Sequence, residues 1–301
     1  MTTTPTATSP APNPTDRFYA AGWAQRAMAG GLRLVQAASP SAGARLAFAI
    51  FCTPLPLKWL VRQRLPAPWR AQTWELLGKR QCAWRHADAP LHPHRPRVLL
   101  VHGWGGQARQ FQAMAEQLWA AGLDPILLDM PAHGHSSGSQ SHMPAFLQTL
   151  HAARQFFGPL HGAVAHSISA VALSHAAARE LPLQRLALIS PASPPRQLLA
   201  WYGQTFGLSE AVMTRMKARI ERIAGIGLDS FEPEWIGPRM KQPTLLVHDR
   251  SDRAAPLAQS QRLRDTAPDA ELWVTEGLGH QRILRDAEVI ERVTRHIAVG
   301  T

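Results

Sequence analysis

Cysteine is scarce in this chain. Cys52 and Cys82 are the only two among 301 residues. They lie far apart and form no CxxC pattern, so they read as ordinary reduced core or surface thiols. Lysine is scarce too, occurring only at 58, 79, 217 and 241. The formal charge of +11, from 32 basic against 21 acidic residues, is therefore the work of arginine. Those arginines are scattered singly, with no basic block and no nucleic-acid motif, so no nucleic-acid partner is expected. Long apolar runs are missing. The longest uncharged one, 46–57, is interrupted by Pro54 and Pro56 and is too short to span a bilayer. The first residues are rich in Thr, Pro and Ala, with neither a basic start nor an apolar stretch, so no secretory signal is expected and the cytoplasm is the expected location.

What is present is an α/β rhythm. Residues 1–16 are expected to be disordered. Residues 17–71 form a helical segment, with one helix over 17–38 and a second over 41–51, ended by Pro54. Tyr19, Trp23, Ala27 and Leu34 fall roughly on one face of the first helix. Such a stripe reads as a core face packed on the body of the protein. A foot touching a membrane surface is the alternative. From residue 72 onward, apolar strands alternate with amphipathic helices. That pattern gives a mostly parallel sheet with helices on both faces, built from 72–191 and 241–301. The stretch 192–240 shows no clear strand and is too long for a structureless loop. It reads as an inserted helical cap.

Three segments carry chemistry. Ala165-His166-Ser167-Ile168-Ser169 follows the apolar run 160–165 and precedes a helix. A nucleophile there sits on a sharp, strained turn, and small residues two before and two after let neighbouring backbone pass close by. An N-cap Ser is the plainer role for such a residue. The Gly-rich turn His102-Gly103-Trp104-Gly105-Gly106 follows the buried strand expected at 97–102. It can aim a backbone N–H into a site. The amides of Trp104 and Ile168 are the expected pair of donors to an oxyanion. The turn lacks the phosphate-loop signatures. Finally, Gly277-Leu278-Gly279-His280 follows the last expected strand, where a loop can carry an imidazole over Ser167. Near the same edge fall His102, His133, His135 and His166. Their spacing matches no zinc pattern, so no metal and no cofactor are expected.

Taken with Asp129-Met-Pro-Ala-His-Gly134-His-Ser136 and with Asp252, these segments resemble the α/β-hydrolase superfamily over about residues 72–299. The order Ser…Asp…His is that of its members. The elbow departs from Gly-x-Ser-x-Gly by Ala165 and Ser169, and Ala132 stands where Gly is common after Pro131. The resemblance implies an α/β-hydrolase fold with Ser167 as nucleophile, His280 as base and an acid after the seventh strand. Two acids lie there, Asp249 and Asp252. The spacing of Asp252 to Pro256 matches the family's habit, and Asp252 is the expected partner of His280. Asp249 remains as a turn residue.

The expected activity is that of an esterase-like or lipase-like serine hydrolase acting on a small-molecule ester or related acyl compound. A catalytically silent binding module and a membrane-associated lipid hydrolase are the alternatives, with membrane contact not the expected case. In the cap, Met213, Met216, Ile220 and Ile223 recur at helical spacing. Trp201, Phe206 and Met213, with Trp104, are the expected pocket walls. The oligomeric state is not legible.

Overall fold

The structure is a computed structural model that describes residues 22–179 and 181–300. The tail expected at 1–16 lies outside the described residues, as does Tyr19.

The core is one eight-stranded sheet. It opens with the hairpin β1 (Trp69–Leu76) and β2 (Lys79–His86), turning through Leu77 and Gly78, both at positive φ. The remaining strands are β3 (Arg97–Val101), β4 (Asp124–Asp129), β5 (Gly162–His166), β6 (Arg185–Ile189), β7 (Thr244–Asp249) and β8 (Ala270–Thr275). Their order is β1-β2-β4-β3-β5-β6-β7-β8. The pairs β1–β2 and β2–β4 are antiparallel and all others parallel. Strands β4, β5 and β7 are buried at every residue, because helices cover both faces.

The crossover helices are α4 (Gln112–Ala120), α5 (Met143–Phe157), α6 (Ile168–Ala178), α10 (Leu257–Thr266) and α12 (Ala287–Ala298). Two apolar clusters divide between the faces. One holds α5 and α6 against the sheet through Phe146, Leu150 and Leu173. The other holds α4 and α12 through Phe111, Leu118, Val289 and Val293. Local chemistry sets the helix starts. The His142 ring accepts from Ala145 N–H at 3.1 Å to begin α5, and Asp286 accepts from Glu288 and Val289 to begin α12.

A layer of helices lies beyond this body. It contains α1 (Trp23–Ala38), α2 (Pro40–Phe51) and, between β6 and β7, α7 (Pro195–Phe206) and α8 (Glu210–Ala224), after which the one-turn helix α9 (Pro233–Ile236) leads back to the sheet. Leu32, Ala47 and Phe48 from the first pair meet Leu199, Tyr202, Phe206, Val212 and Met216 from the second. Tyr202 donates its hydroxyl to Ala47 O at 2.9 Å. Gln36 bridges Gly207 O and Ser209 N at 2.9 and 2.8 Å.

Two expectations are corrected here. The first strand starts at Trp69, not beyond residue 71. The buried Trp69 pairs with His86, so the ladder extends past the prolines that mask its start. More tellingly, the stripe of α1 faces outward. Trp23 is 79% exposed and Leu34 77%. The buried face is the one carrying Ala29 and Leu32, seated on Ala44 and Ala47 of α2. Small residues let the two helices approach closely: a Cβ on Gly43 would lie 2.6 Å from Cβ of Gln36. A stripe of large apolar residues does not mark such a seam.

Candidate active site

Ser167 stands between β5 and α6 with φ 57° and ψ −126°. Backbone in that region costs on the order of 1–3 kcal/mol for a residue with a side chain. Surrounding bonds hold it there. Ser167 N–H donates to Ile189 O at 3.0 Å, and the Ser169 hydroxyl donates to His102 O. The backbone of the 102–106 turn passes very near. A Cβ on Gly103 would sit 2.8 Å from Cβ of Ser167. Ala165 is wholly buried. These contacts explain why small residues flank Ser167.

His280 lies in α11 (Gly279–Arg282), just past β8. Its Nε2 is 3.0 Å from Ser167 Oγ, and its Nδ1 is 2.7 Å from Asp252 Oδ2. The carboxylate requires a proton on Nδ1, which leaves Nε2 as acceptor for the Ser167 hydroxyl. The Asp252 side chain is enclosed. Its other oxygen accepts from Ala254 N and Ala255 N at 2.7 and 2.9 Å. Burial alone would raise the Asp252 pKa. The hydrogen bond and charge of His280, with the two amides, outweigh burial and hold it at about 2. The group is an anion at any pH near neutrality.

Asp249 does not reach His280. It accepts from Ser251 N and Oγ on one oxygen, and from Thr275 Oγ1 and Leu278 N on the other. Burial works against its ionisation, yet these donors outweigh it and hold the carboxyl well below the usual range. Asp249 thus staples the loop that carries Asp252 to the loop that carries His280.

His166 joins the same assembly from below. It is buried, and its Nε2–H donates to the carbonyl of His280 at 2.9 Å. The two rings lie 4.4 Å apart. Burial, then the neighbouring His280, pushes the pKa of His166 well below its ordinary value, so the ring is neutral. Two more histidines of the cluster, His102 and His133, are structural. His102 uses Nδ1 on Gly103 O and Nε2 on Met130 N. His133 uses Nδ1 on Pro131 O and Nε2 on Gly105 N. Their nitrogens are committed to backbone, and no three His, Cys, Asp or Glu among the described residues are grouped to hold a metal. Asp129 organises the 131–136 turn, accepting from Ala108 N, His135 N and Trp84 Nε1. The turn needs Ala132 at φ 66°, where a glycine would be unstrained.

A cavity of about 950 Å³, its open mouth included, lies over Ser167. Its walls are mostly apolar: Phe51, Trp104, Met143, Ile168, Leu198 and Ile220. Cys52, Ser141 and His142 also face it. Among the described residues, neither the Trp104 amide nor the Ile168 amide finds an acceptor. The pocket walls expected from sequence are corrected. Phe206 is buried in the helical layer, Met213 packs there against Gly203, and neither lines the cavity; nor does Trp201. Of the expected α8 stripe only Ile220 does. The wall formed by Phe51 and Cys52 was not foreseen, because it comes from the N-terminal segment that lies outside the recognised motifs. The end of an apolar helix just before Pro54 is the one signal that could have marked it.

Comparison with known proteins bears on the fold. The family described as "Serine aminopeptidase, S33" matches residues 92–224, a span that includes the Gly-rich turn and Ser167 but ends before Asp252 and His280. With the sheet order and the likeness to solved structures below, the match shows an α/β-hydrolase fold. The pimeloyl-[acyl-carrier protein] methyl ester esterase of Xanthomonas campestris pv. campestris is 25% identical over 246 residues, which cover 68% of this chain and 96% of that one. Among solved α/β hydrolases, Est1E from Butyrivibrio proteoclasticus, seen with ferulic acid bound, superposes with a TM-score of 0.59 at 19% identity, covering 76% of this chain and 96% of its own. The thioesterase domain from the curacin biosynthetic pathway gives 0.56 at 19%, covering 76% and 98%.

Proposed function

We propose that the chain is a carboxylic-ester hydrolase working through an acyl-enzyme on Ser167. The observation that carries this reading is the relay of distances, 3.0 Å from Ser167 to His280 and 2.7 Å from His280 to Asp252. Ser167 Oγ attacks the ester carbon and its proton passes to His280 Nε2. The carbonyl oxygen, now an anion, takes hydrogen bonds from the amides of Trp104 and Ile168. The C–O bond to the alkoxide breaks, and the alcohol leaves with the proton from His280. Water then attacks the acyl-enzyme, giving its proton to His280, and the acid is released as Ser167 recovers its own. Asp252 keeps Nδ1 protonated and stabilises the imidazolium without taking the proton. No cofactor enters these steps. The walls of the cavity suit an uncharged, apolar acyl group. The relative's name places a methyl ester on its substrate, so methyl esters of apolar acids are the first compounds to assay.

A fluorophosphonate tests the reading directly. It is expected to label the native protein and not Ser167→Ala, and the same substitution is expected to abolish ester turnover. Labelling that persists in Ser167→Ala would remove the assignment.

A further inference from the structure

Residues 22–74 contain no Asp or Glu, yet they carry Arg26, Arg33, Arg45, Lys58, Arg62, Arg64 and Arg70. The same stretch holds six of the eleven large apolar side chains exposed among the described residues: Trp23, Leu34, Leu46, Leu57, Trp59 and Leu60. On α1 the outward stripe of Trp23 and Leu34 alternates with exposed Arg26 and Arg33. On the one-turn helix α3 (Lys58–Val61), Trp59 is 66% exposed and Leu60 62%, and exposed Arg62 and Arg64 follow directly.

We infer that residues 57–64 form a docking foot for an anionic lipid surface, with the outer face of α1 as part of the same cationic, apolar segment. A tryptophan and a leucine reaching outward beside arginines match the interfacial zone of a bilayer, where apolar groups enter and guanidinium groups meet headgroup phosphates. Each cation near such a surface adds an attraction that salt screens. A second copy of this chain is a poor occupant, because a two-fold contact would set these cations against themselves. The foot also adjoins the candidate site. It follows Phe51 and Cys52, which line the cavity, after only a short turn. Leu55 O packs so near the Gly-rich turn that a Cβ on Gly105 would lie 2.5 Å from it. Gln107 Nε2–H donates to Val61 O at 3.1 Å, and Gln63 N–H donates to Gln107 Oε1 at 2.8 Å. Docking through the foot brings the cavity beside the bilayer. Only the further step, delivery of an ester from that surface, rests on the proposed reaction.

The full chain would be sedimented with vesicles of phosphatidylcholine alone and of phosphatidylcholine mixed with phosphatidylglycerol, at physiological salt. The bound fraction is expected to be at least ~10-fold higher on the anionic vesicles and to fall as salt rises. The double variant W59S/L60S and the double variant R62E/R64E are each expected to lose that gain. Both are surface changes, so a short water-soluble ester should be turned over as before. Absence of binding to the anionic vesicles overturns the inference, as does binding that W59S/L60S leaves undiminished. Binding without any ester turnover keeps the foot and removes the reaction instead.

Discussion

Asp249 and Asp252 are three residues apart and both ionised, but they do different work. Asp252 spends one oxygen on His280 and the other on two amides of its own loop. Asp249 spends both on the loop frame. Asp252→Asn is therefore expected to lower kcat by about 10⁴-fold, since an amide there favours the wrong imidazole tautomer. In Asp249→Asn an NH₂ group would face donors from Ser251 or Leu278. That variant is expected to lose Tm while retaining far more of its kcat than Asp252→Asn. Steady-state kinetics and thermal melts on the two variants check the split. The larger kcat loss at Asp249 would reverse the roles. The sequence pointed to Asp252 through its spacing from Pro256, and the distances bring that residue to His280. His166 was legible only as one histidine in a cluster. Its bond to the His280 carbonyl joins residues 114 apart, and no local pattern reports such a contact.

Elements were readable wherever hydropathy and turn residues acted together. The parallel strands β3 and β5 are short apolar runs that end just before Gly103 and Ser167, and they fall within two residues of the runs expected at 97–102 and 160–165. The helical layer was readable as helices, but not as to which side faces in. Its seam is built from Ala29, Ala44, Ala47 and Gly43, whose packing depends on close approach and not on apolar bulk. The pocket walls failed for the same reason. Phe206 and Met213 went to the seam between α2, α7 and α8, leaving Leu198 and Ile220 to face the cavity. The elbow makes a sharper claim about elements. Since a Cβ at Gly103 would fall 2.8 Å from that of Ser167 and near the His166 carbonyl, Gly103→Ala must push the Gly-rich turn away from the elbow. The Trp104 amide moves with it. Turnover is expected to fall by about 10²-fold, the scale of losing one oxyanion donor, with fluorophosphonate labelling slowed in parallel. An unchanged rate in a folded Gly103→Ala protein would place the oxyanion elsewhere.

At the scale of the whole molecule, many buried histidines set how the fold responds to acid. Burial first, with neighbouring cations or rings second, pushes His133 down to about 3 and His175 down to about 4. His102, His166 and His248 are lowered as well, each by burial first. In the unfolded chain these rings take up protons near the ordinary value of 6.5, and in the folded chain they resist doing so. The unfolded state thus binds more protons as pH falls below about 6.5, and the fold loses stability from there downward. His133 alone is expected to cost roughly 2 kcal/mol between pH 7 and pH 5, a gap of about one and a half units below its ordinary value. The depressed carboxylates do not contribute in that window. The stability they confer is present above their unfolded value, near 3.8, and is lost only as pH falls through their folded values, about 2 for Asp252. Two acid phases follow: a broad loss between pH 6.5 and 4 from the imidazoles, then a second below pH 4 from Asp249 and Asp252. Urea midpoints measured at pH 7.5, 6, 5 and 4 read the first phase. His133→Gln, which can keep part of the Gly105 contact but does not titrate, is expected to flatten that slope while lowering the midpoint at pH 7.5. A midpoint that holds constant from pH 7.5 to 4 would mean that the buried rings are protonated in the fold, and the neutral tautomers assigned to His102 and His133 would have to be abandoned.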